Sequence, residues 1–430
     1  MSDELPCALV AAPEAEAARR ALDRAGYLAV RPRAFKAPDG RVALPLTSEG
    51  TAALQEGTAR AALHCGAAFE LTHLPSTGRV DGDLHARTHQ SALQALEAAG
   101  VSSAEARAAL PASALPRRWE KLGDVVLFSP QGCFAEESPV AALAAPAQQA
   151  LWASVARSLG AARLGIQGRI AQDLVVPADS TLLQRERADV LHRKSGARLL
   201  WPEGADGWTE HRENGIMYGL DVRRSMFSSG NGTEKMRVAS RRCEGETVVD
   251  LYAGIGYFTL PYLLHARAAH LHACEWDEDA LAALKHNLRA NGVAERCTVH
   301  PGDNALSASA FAGTAHRVNL GLIPSSEAGW PVGVAALRPE GGWLHVHANI
   351  GASEADEAAW CEALLRTLAR LAADAGREWT LRVAHLERVK WYAPKIRHCV
   401  ADVWCGSQHS AASGGPTPAV ESLYRESCHG

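Results

Sequence analysis

Asp250, the glycines Gly254 and Gly256, Glu275 and the pair Asp303-Asn304 are the residues of this chain whose types and spacing suit chemistry. The run Val248-Val249-Asp250-Leu251-Tyr252-Ala253-Gly254-Ile255-Gly256-Tyr257-Phe258-Thr259-Leu260-Pro261 reads as a strand entering a two-glycine turn that opens into an apolar helix. Glu275 ends the next strand-like run, Leu271-His272-Ala273-Cys274, and Asp303-Asn304 follows the one after it, Thr298-Val299-His300. Polar residues at the tips of successive parallel strands stand where doubly wound sheets bind ligands. The glycines let the backbone approach a ligand and take φ values that other residues resist. An acid at the second strand can accept from ribose hydroxyls, Asp303 can accept from an adenine amino group, and Asn304 can bond the ring edge. Thr259 stands where G-x-G-x-x-G would have its third glycine, which disfavours a dinucleotide. S-adenosylmethionine (SAM) has no pyrophosphate to cradle, so two glycines suffice, and SAM-dependent group transfer is the expected chemistry. The alternative is a tight βα turn that binds nothing.

These residues need a frame that holds them together. From about residue 245 strand and helix alternate regularly: strands near 247–251, 269–274, 296–300, 316–322 and 342–347, helices near 257–266, 277–291, 325–336 and 353–375, and closing strands near 379–386 and 398–404. That order predicts an α/β, class I methyltransferase-like (Rossmann-type) doubly wound sheet preceded by smaller α+β modules. The expected divisions are an N-terminal α+β module at 1–105, a small α+β module at 106–198, the SAM-binding catalytic domain at 199–405 and a disordered tail at 406–430. Helices are expected near 14–24, 88–110 and 139–158, a turn at Asp39-Gly40, and a hairpin at Asn214-Gly215.

The 430 residues, 47% hydrophobic and 21% charged, are those of an ordinary globular protein. No apolar run approaches the ~18 residues of a membrane helix, and no secretory signal opens the chain, so a cytoplasmic protein without membrane contact is expected. The ten cysteines include no Cys-x-x-Cys pair, and His265, His270 and His272, like His345 and His347, lack partners at ligand spacing; no metal is expected. A net charge of −4 excludes non-specific coating of nucleic acid but allows local basic surfaces. Such clusters lie at Arg185 to Arg198, at Arg223, Arg224, Arg237, Arg241 and Arg242, and at Lys390, Lys395 and Arg397.

One family resembles the core closely. Glu213-Asn214-Gly215, Asp221, Met226-Phe227-Ser228, Gly230-Asn231, Glu234-Lys235 and Arg237 resemble the pre-core motif of the tRNA wybutosine-synthesizing protein 2 family. Asp250 through Pro261, Ala273 through Trp276, Gly302-Asp303-Asn304 and Gly321 through Ser326 match it in order and spacing. The likeness spans residues 200–405 and extends more thinly to Pro38 through Pro45 and Leu115 through Trp119. It implies transfer of the 3-amino-3-carboxypropyl group of SAM, rather than its methyl, to a carbon of 4-demethylwyosine beside the anticodon of tRNA(Phe), with release of methylthioadenosine. It also implies SAM contacts from Ser228, Lys235, Glu275, Asp303 and Asn304, with Lys235 partnering the methionine carboxylate.

A sister family, which methylates guanine N1 at the same tRNA position, carries Asn-Leu-Pro at the fourth strand tip. Here that tip reads Leu320-Gly321-Leu322-Ile323-Pro324-Ser325, with no side-chain amide, which implies that positioning rather than a general base carries the step. Pro324 is a candidate wall for a stacked base or a plain strand terminator. Ser325 is the other pocket candidate, and Tyr252 and Tyr257 flank the glycine loop. SAM as co-substrate, tRNA(Phe) as partner and no obligate protein partner complete the expectation. The alternatives are a SAM-dependent tRNA methyltransferase of the guanine N1 type and a SAM- or tRNA-binding protein without turnover.

Overall fold

A computed structural model describes residues 4–11, 14–25, 27–28, 35–36, 41–55, 69–75, 84–168 and 195–406. The Asp39-Gly40 turn, the basic residues from Arg185 to Lys194 and the tail beyond 406 lie outside them. The chain divides into two units, Met1–Ala98 and Ala99–Gly430.

In the first unit, strands β1 (Glu4–Val10), β2 (Phe35–Lys36), β3 (Val42–Pro45) and β4 (Glu70–Pro75) form an antiparallel sheet in the order β2-β3-β1-β4. Alternate residues Ala8 and Val10 of β1 and Leu44 of β3 pack on Ala18, Ala21 and Leu22 of the helix Ala15–Arg24. The expected single helix over 88–110 is two helices, Leu84–Ala98 and Ser103–Ala109. Between them Gly100 adopts φ +91°, and Ser102 accepts from the Glu105 N–H at 3.3 Å to start the second.

The second unit, which begins with the helix Ser103–Ala109, continues into a four-stranded sheet, β5 (Trp119–Leu122), β6 (Val125–Phe128), β7 (Arg163–Ile166) and β8 (Arg198–Trp201), in chain order. The helix expected over 139–158 starts late. A 3-10 turn occupies Pro139–Ala142, and the α-helix Ala145–Ser158 begins with Pro146 in its first turn, where no N–H is required. Strands β9 (Trp208–Glu213) and β10 (Ile216–Asp221) form the expected hairpin, with Asn214 and Gly215 both at positive φ (48° and 77°).

The catalytic-type sheet holds β11 (Thr247–Asp250), β12 (His270–Glu275), β13 (Cys297–Pro301), β14 (Arg317–Leu320), β15 (Gly341–Gly351), β16 (Thr380–Ala393) and β17 (Ile396–Gly406). Their order is β13-β12-β11-β14-β15-β17-β16; the first five are parallel, and β17 runs antiparallel to both neighbours. Helices cover both faces, so the central parallel strands bury apolar side chains on each. Val248, Leu271 and Ala273 pack with Leu260, Leu263 and Leu284, while Val249, Val318 and Val346 pack with Trp330, Leu364 and Leu368. Chain order reverses between β11 and β14, which makes the carboxyl ends of those strands the expected ligand crevice.

A buried polar layer fastens the pre-core helix Gly232–Ala239 to this sheet. Arg237 makes a bidentate pair with Glu234 (both 2.7 Å) and reaches Asp402 of β17 at 2.5 Å; Arg241 reaches Asp402 at 3.0 Å, and His345 Nδ1 lies 2.6 Å from it. Burial raises the Asp402 carboxyl, but His345, Arg241 and Arg237 outweigh it and hold the group well below its ordinary 3.8. Burial, reinforced by Arg241, pushes His345 down to about 3, so its neutral ring donates Nδ1–H to Asp402. His347 is likewise lowered well below 6.5 and His272 to about 4, each chiefly by burial.

These histidines set an acid sensitivity. Below pH 6.5 the unfolded chain binds protons that the folded one refuses, so stability falls as pH drops, by up to about 1.4 kcal/mol per pH unit for each histidine. Asp402 extends the loss to lower pH, because its contribution is present above 3.8 and disappears as pH falls through its lowered folded value. Asp250, Glu234 and Glu275, raised by burial, oppose the trend once pH falls into their range. Urea unfolding between about pH 7.5 and 5.5 is expected to reveal the histidine slope, and His347→Gln to flatten it; a flat wild-type profile would contradict the neutral buried state.

Candidate functional site

A cavity of about 380 Å³ opens at the carboxyl ends of β11, β12, β13 and β14. Its walls include Ser228, Tyr252, Gly254, Tyr257, Phe258, Glu275, Trp276, Asp303, Asn304, Gly321 and Leu322. Volumes of ~300–1,000 Å³ are those of small-molecule and cofactor sites.

The glycine loop is shaped as its residues demand. Gly254 (φ +55°) and Gly256 (φ +102°) both lie in the left-handed region, and a Cβ on Gly254 would come within 2.7 Å of the Tyr257 ring. Gly256 stands away from the wall; a Cβ there would crowd Leu260 and Leu284 at 3.2 Å, so its role is conformation and packing. Asp250 is likewise a strut. It is fully buried, accepts from Thr259 Oγ1 at 2.8 Å and Asn319 Nδ2 at 3.0 Å, and its carboxyl is pushed up by burial. The threonine in place of a third glycine thus holds the strand end to the following helix.

Glu275 does reach the cavity. Its Oε2 accepts from Gly254 N–H at 2.6 Å, and Oε1 from the N–H groups of Trp276 (2.9 Å) and Asp277 (2.8 Å). Burial raises its pKa although these three donors pull it down. One carboxylate therefore ties the glycine loop to the turn that follows β12. Asp303 caps the short helix Asn304–Ser307 through Ala305 N–H (2.9 Å), and Asn304 Nδ2 donates to Leu251 O at 3.1 Å.

Lys235 is set behind the wall. It is 4% exposed, pairs with Glu213 Oε2 at 2.5 Å, and faces the rings of Phe227 (4.5 Å), Tyr218 (5.5 Å) and Tyr257 (5.6 Å). Burial lowers its pKa despite Glu213. The Tyr257 hydroxyl, in turn, donates to Met226 O and anchors the loop that carries Ser228.

At the fourth strand tip, Gly321 and Leu322 line the cavity while Pro324 and Ser325 do not. Pro324 O accepts from Asn349 N–H at 2.8 Å, which pins the tip to β15. Ser325 Oγ accepts from Glu327 N–H, whereas Ser326, 1% exposed, donates to His347 O and accepts from Trp330 Nε1.

Three supporting roles have no signal in the sequence, although Glu213 itself stands in the pre-core motif. Asn319 holds Asp250, Glu213 holds Lys235, and Asn287 clamps the β9–β10 hairpin. The Asn287 amide accepts from Gly219 N–H (2.6 Å) and donates to Gly219 O and Ile255 O. An asparagine inside a helix carries no sequence signal for such a clamp, because its partners lie far along the chain.

Residues 209–378 match the TRM5/TYW2 methyltransferase domain. The Danio rerio protein named tRNA wybutosine-synthesizing protein 2 homolog is 38% identical over 438 residues, covering 94% of this chain and 99% of its own. The chain belongs to the tRNA wybutosine-synthesizing protein 2 family. Members differ in size: the Arabidopsis thaliana tRNA wybutosine-synthesizing protein 2/3/4 is 46% identical over 291 residues, and that match takes in 68% of this chain but only 26% of the plant protein. A crystal structure of Pyrococcus horikoshii TYW2 in complex with MeSAdo superposes with a TM-score of 0.50 at 25% identity, over 69% of this chain and 93% of that one. The class I methyltransferase-like fold is thus the family's fold. Among the described residues, no group of three or more His, Cys, Asp and Glu is arranged for a metal ion, and no helix is long and apolar enough to cross a membrane.

Proposed function

We propose that this protein transfers the 3-amino-3-carboxypropyl group of SAM to 4-demethylwyosine next to the anticodon of tRNA(Phe), within wybutosine biosynthesis. The observation that carries the reading is the cavity at the switch point, lined by Gly254, Glu275, Asp303 and Asn304, in a chain of which 94% aligns with a wybutosine family member. The residues fit SAM: the volume suits a nucleoside bearing an amino-acid arm, and Glu275 and Asp303 stand at the second and third strand tips. Ser228, Gly254, Glu275, Asp303 and Asn304 are assigned to the cofactor. Lys235 is assigned to the layer behind, where its ammonium already has a carboxylate and three ring faces.

SAM, when bound, supplies a sulfonium with three electrophilic carbons. The base carbon that bonds to the aminocarboxypropyl group loses a proton, and the electrons of the broken C–S bond leave on sulfur in methylthioadenosine. Selection among the three carbons falls to the walls that orient the cofactor, since alignment alone can dominate such a choice. Gly321 and Leu322 present no proton acceptor to the base, and Ser325 and Ser326 point their hydroxyls into bonds of the fold.

Ser325→Ala is therefore expected to leave turnover within about threefold of the parent, and Ser326→Ala to lower stability by ~1 kcal/mol with turnover preserved. Loss of turnover in either variant, with SAM and tRNA binding intact, would assign a hydroxyl to the chemistry. The function itself is tested with SAM labelled in the methyl group or in the methionine carboxyl, incubated with tRNA(Phe) bearing 4-demethylwyosine. Carboxyl label in tRNA is the expected result; methyl label alone would make the protein a tRNA methyltransferase.

A further inference from the structure

We propose that the tip of the β16–β17 hairpin is the surface on which unpaired RNA nucleotides beside the modified base stack, a proposal that rests on the tRNA reading above. Trp391 and Tyr392 are 61% and 43% exposed. The two rings sit at the end of β16 where the pairing with β17 shifts register between Trp391 and Ala393. Large aromatic rings left bare in this way cost free energy unless a partner covers them.

The surroundings select the partner. The Arg397 guanidinium lies 4.3 Å from the Trp391 ring centroid, and its Nη1 lies 3.5 Å from Glu357. Glu357 is in turn fixed by Arg388 in a bidentate pair at 2.6–3.1 Å. The indole is therefore backed by a cation that is itself braced, leaving its exposed surface for a second stacking partner. Lys395, exposed and at φ +64°, forms the turn itself. Rings interleaved with lysine and arginine match the needs of single-stranded RNA, whose bases stack and whose phosphates seek cations.

The hairpin also stands in the right place. β17 pairs with the end of β15, Ile350 opposite Arg397 and Asn349 opposite His398, and Asn349 N–H donates to Pro324 O at the fourth strand tip. On the other strand the Lys390 ammonium lies against Gly230, where an added Cβ would sit 2.7 Å from Nζ. Gly230 belongs to the turn Ser229–Asn231, and Ser228 and Asn231 line the cavity. The hairpin thus lies, through Lys390, against the turn that carries Ser228 and Asn231 of the cavity wall, and a base entering there brings its neighbours onto Trp391 and Tyr392.

The test measures binding of tRNA(Phe) bearing 4-demethylwyosine, and of its isolated anticodon stem-loop, to the full chain. Trp391→Ala and Tyr392→Ala are expected to weaken both by roughly 5- to 150-fold each, with SAM affinity unchanged. Trp391→Phe and Tyr392→Phe keep a ring and are expected to recover most of the loss, which separates stacking from misfolding. RNA affinity within about twofold of the parent in both alanine variants overturns the proposal, as would be found if the rings served a protein partner. So does a loss seen with whole tRNA and absent with the stem-loop. If the parent itself binds no tRNA, the proposed function falls with it; if the parent aminocarboxypropylates tRNA and the variants match it, only the hairpin's role falls.

Discussion

Asp402→Ala is expected to destabilise the second unit by about 3–5 kcal/mol, the loss typical of leaving buried charge without its partner. Asp402 is 5% exposed and receives Arg237, Arg241 and His345 at 2.5–3.1 Å, and the side chains of both arginines are largely buried. Removing the carboxylate strands Arg241 and leaves Arg237 with Glu234 alone. Asp402→Asn keeps the volume but not the charge, so it separates the ionic effect from cavity formation and is expected to recover little. Because Arg237 sits on the helix that also carries Lys235, the same change should loosen the pre-core loop and weaken SAM binding. Urea denaturation of both variants measures the first effect; a loss under about 1 kcal/mol would mean that water solvates the arginines in place of Asp402.

Glu275→Ala is expected to weaken SAM affinity by about 1–3 kcal/mol, a roughly 5- to 150-fold rise in Kd, with a far smaller effect on global stability. Two causes act together. The carboxylate is an acceptor within the cavity, and it also orients Gly254, Trp276 and Asp277 through their N–H groups. Glu275→Gln keeps one acceptor oxygen and is expected to fall between parent and alanine. Calorimetry at neutral pH gives the number directly, and an unchanged Kd in the alanine variant would remove Glu275 from the site.

The family resemblance implies Lys235 at the methionine carboxylate, since a lysine suits an anion. Folding brings Glu213 from the hairpin and the Phe227, Tyr218 and Tyr257 rings around it, and a desolvated ammonium takes the nearest carboxylate. Asp250, which ends its strand before the glycine loop, suits a cavity acid by its place in the sequence. Its register places Asn319 directly opposite, and two buried donors claim its oxygens before any ligand could.

The sequence by itself determined the parts whose causes are local. Glycines at 254 and 256 dictate a loop with positive φ, Asn214-Gly215 dictates a tight hairpin, and alternating apolar strands and helices dictate the doubly wound sheet. Polar residues at strand ends 275, 303 and 304 announced the cavity, because a strand's carboxyl end is fixed by its own pattern. What only the tertiary structure decided were the pairings across the chain. Arg237 meets Asp402 over 165 positions and Asp250 meets Asn319 over 69. No periodicity encodes such distances; sheet register and burial do, and burial then makes each partner obligatory.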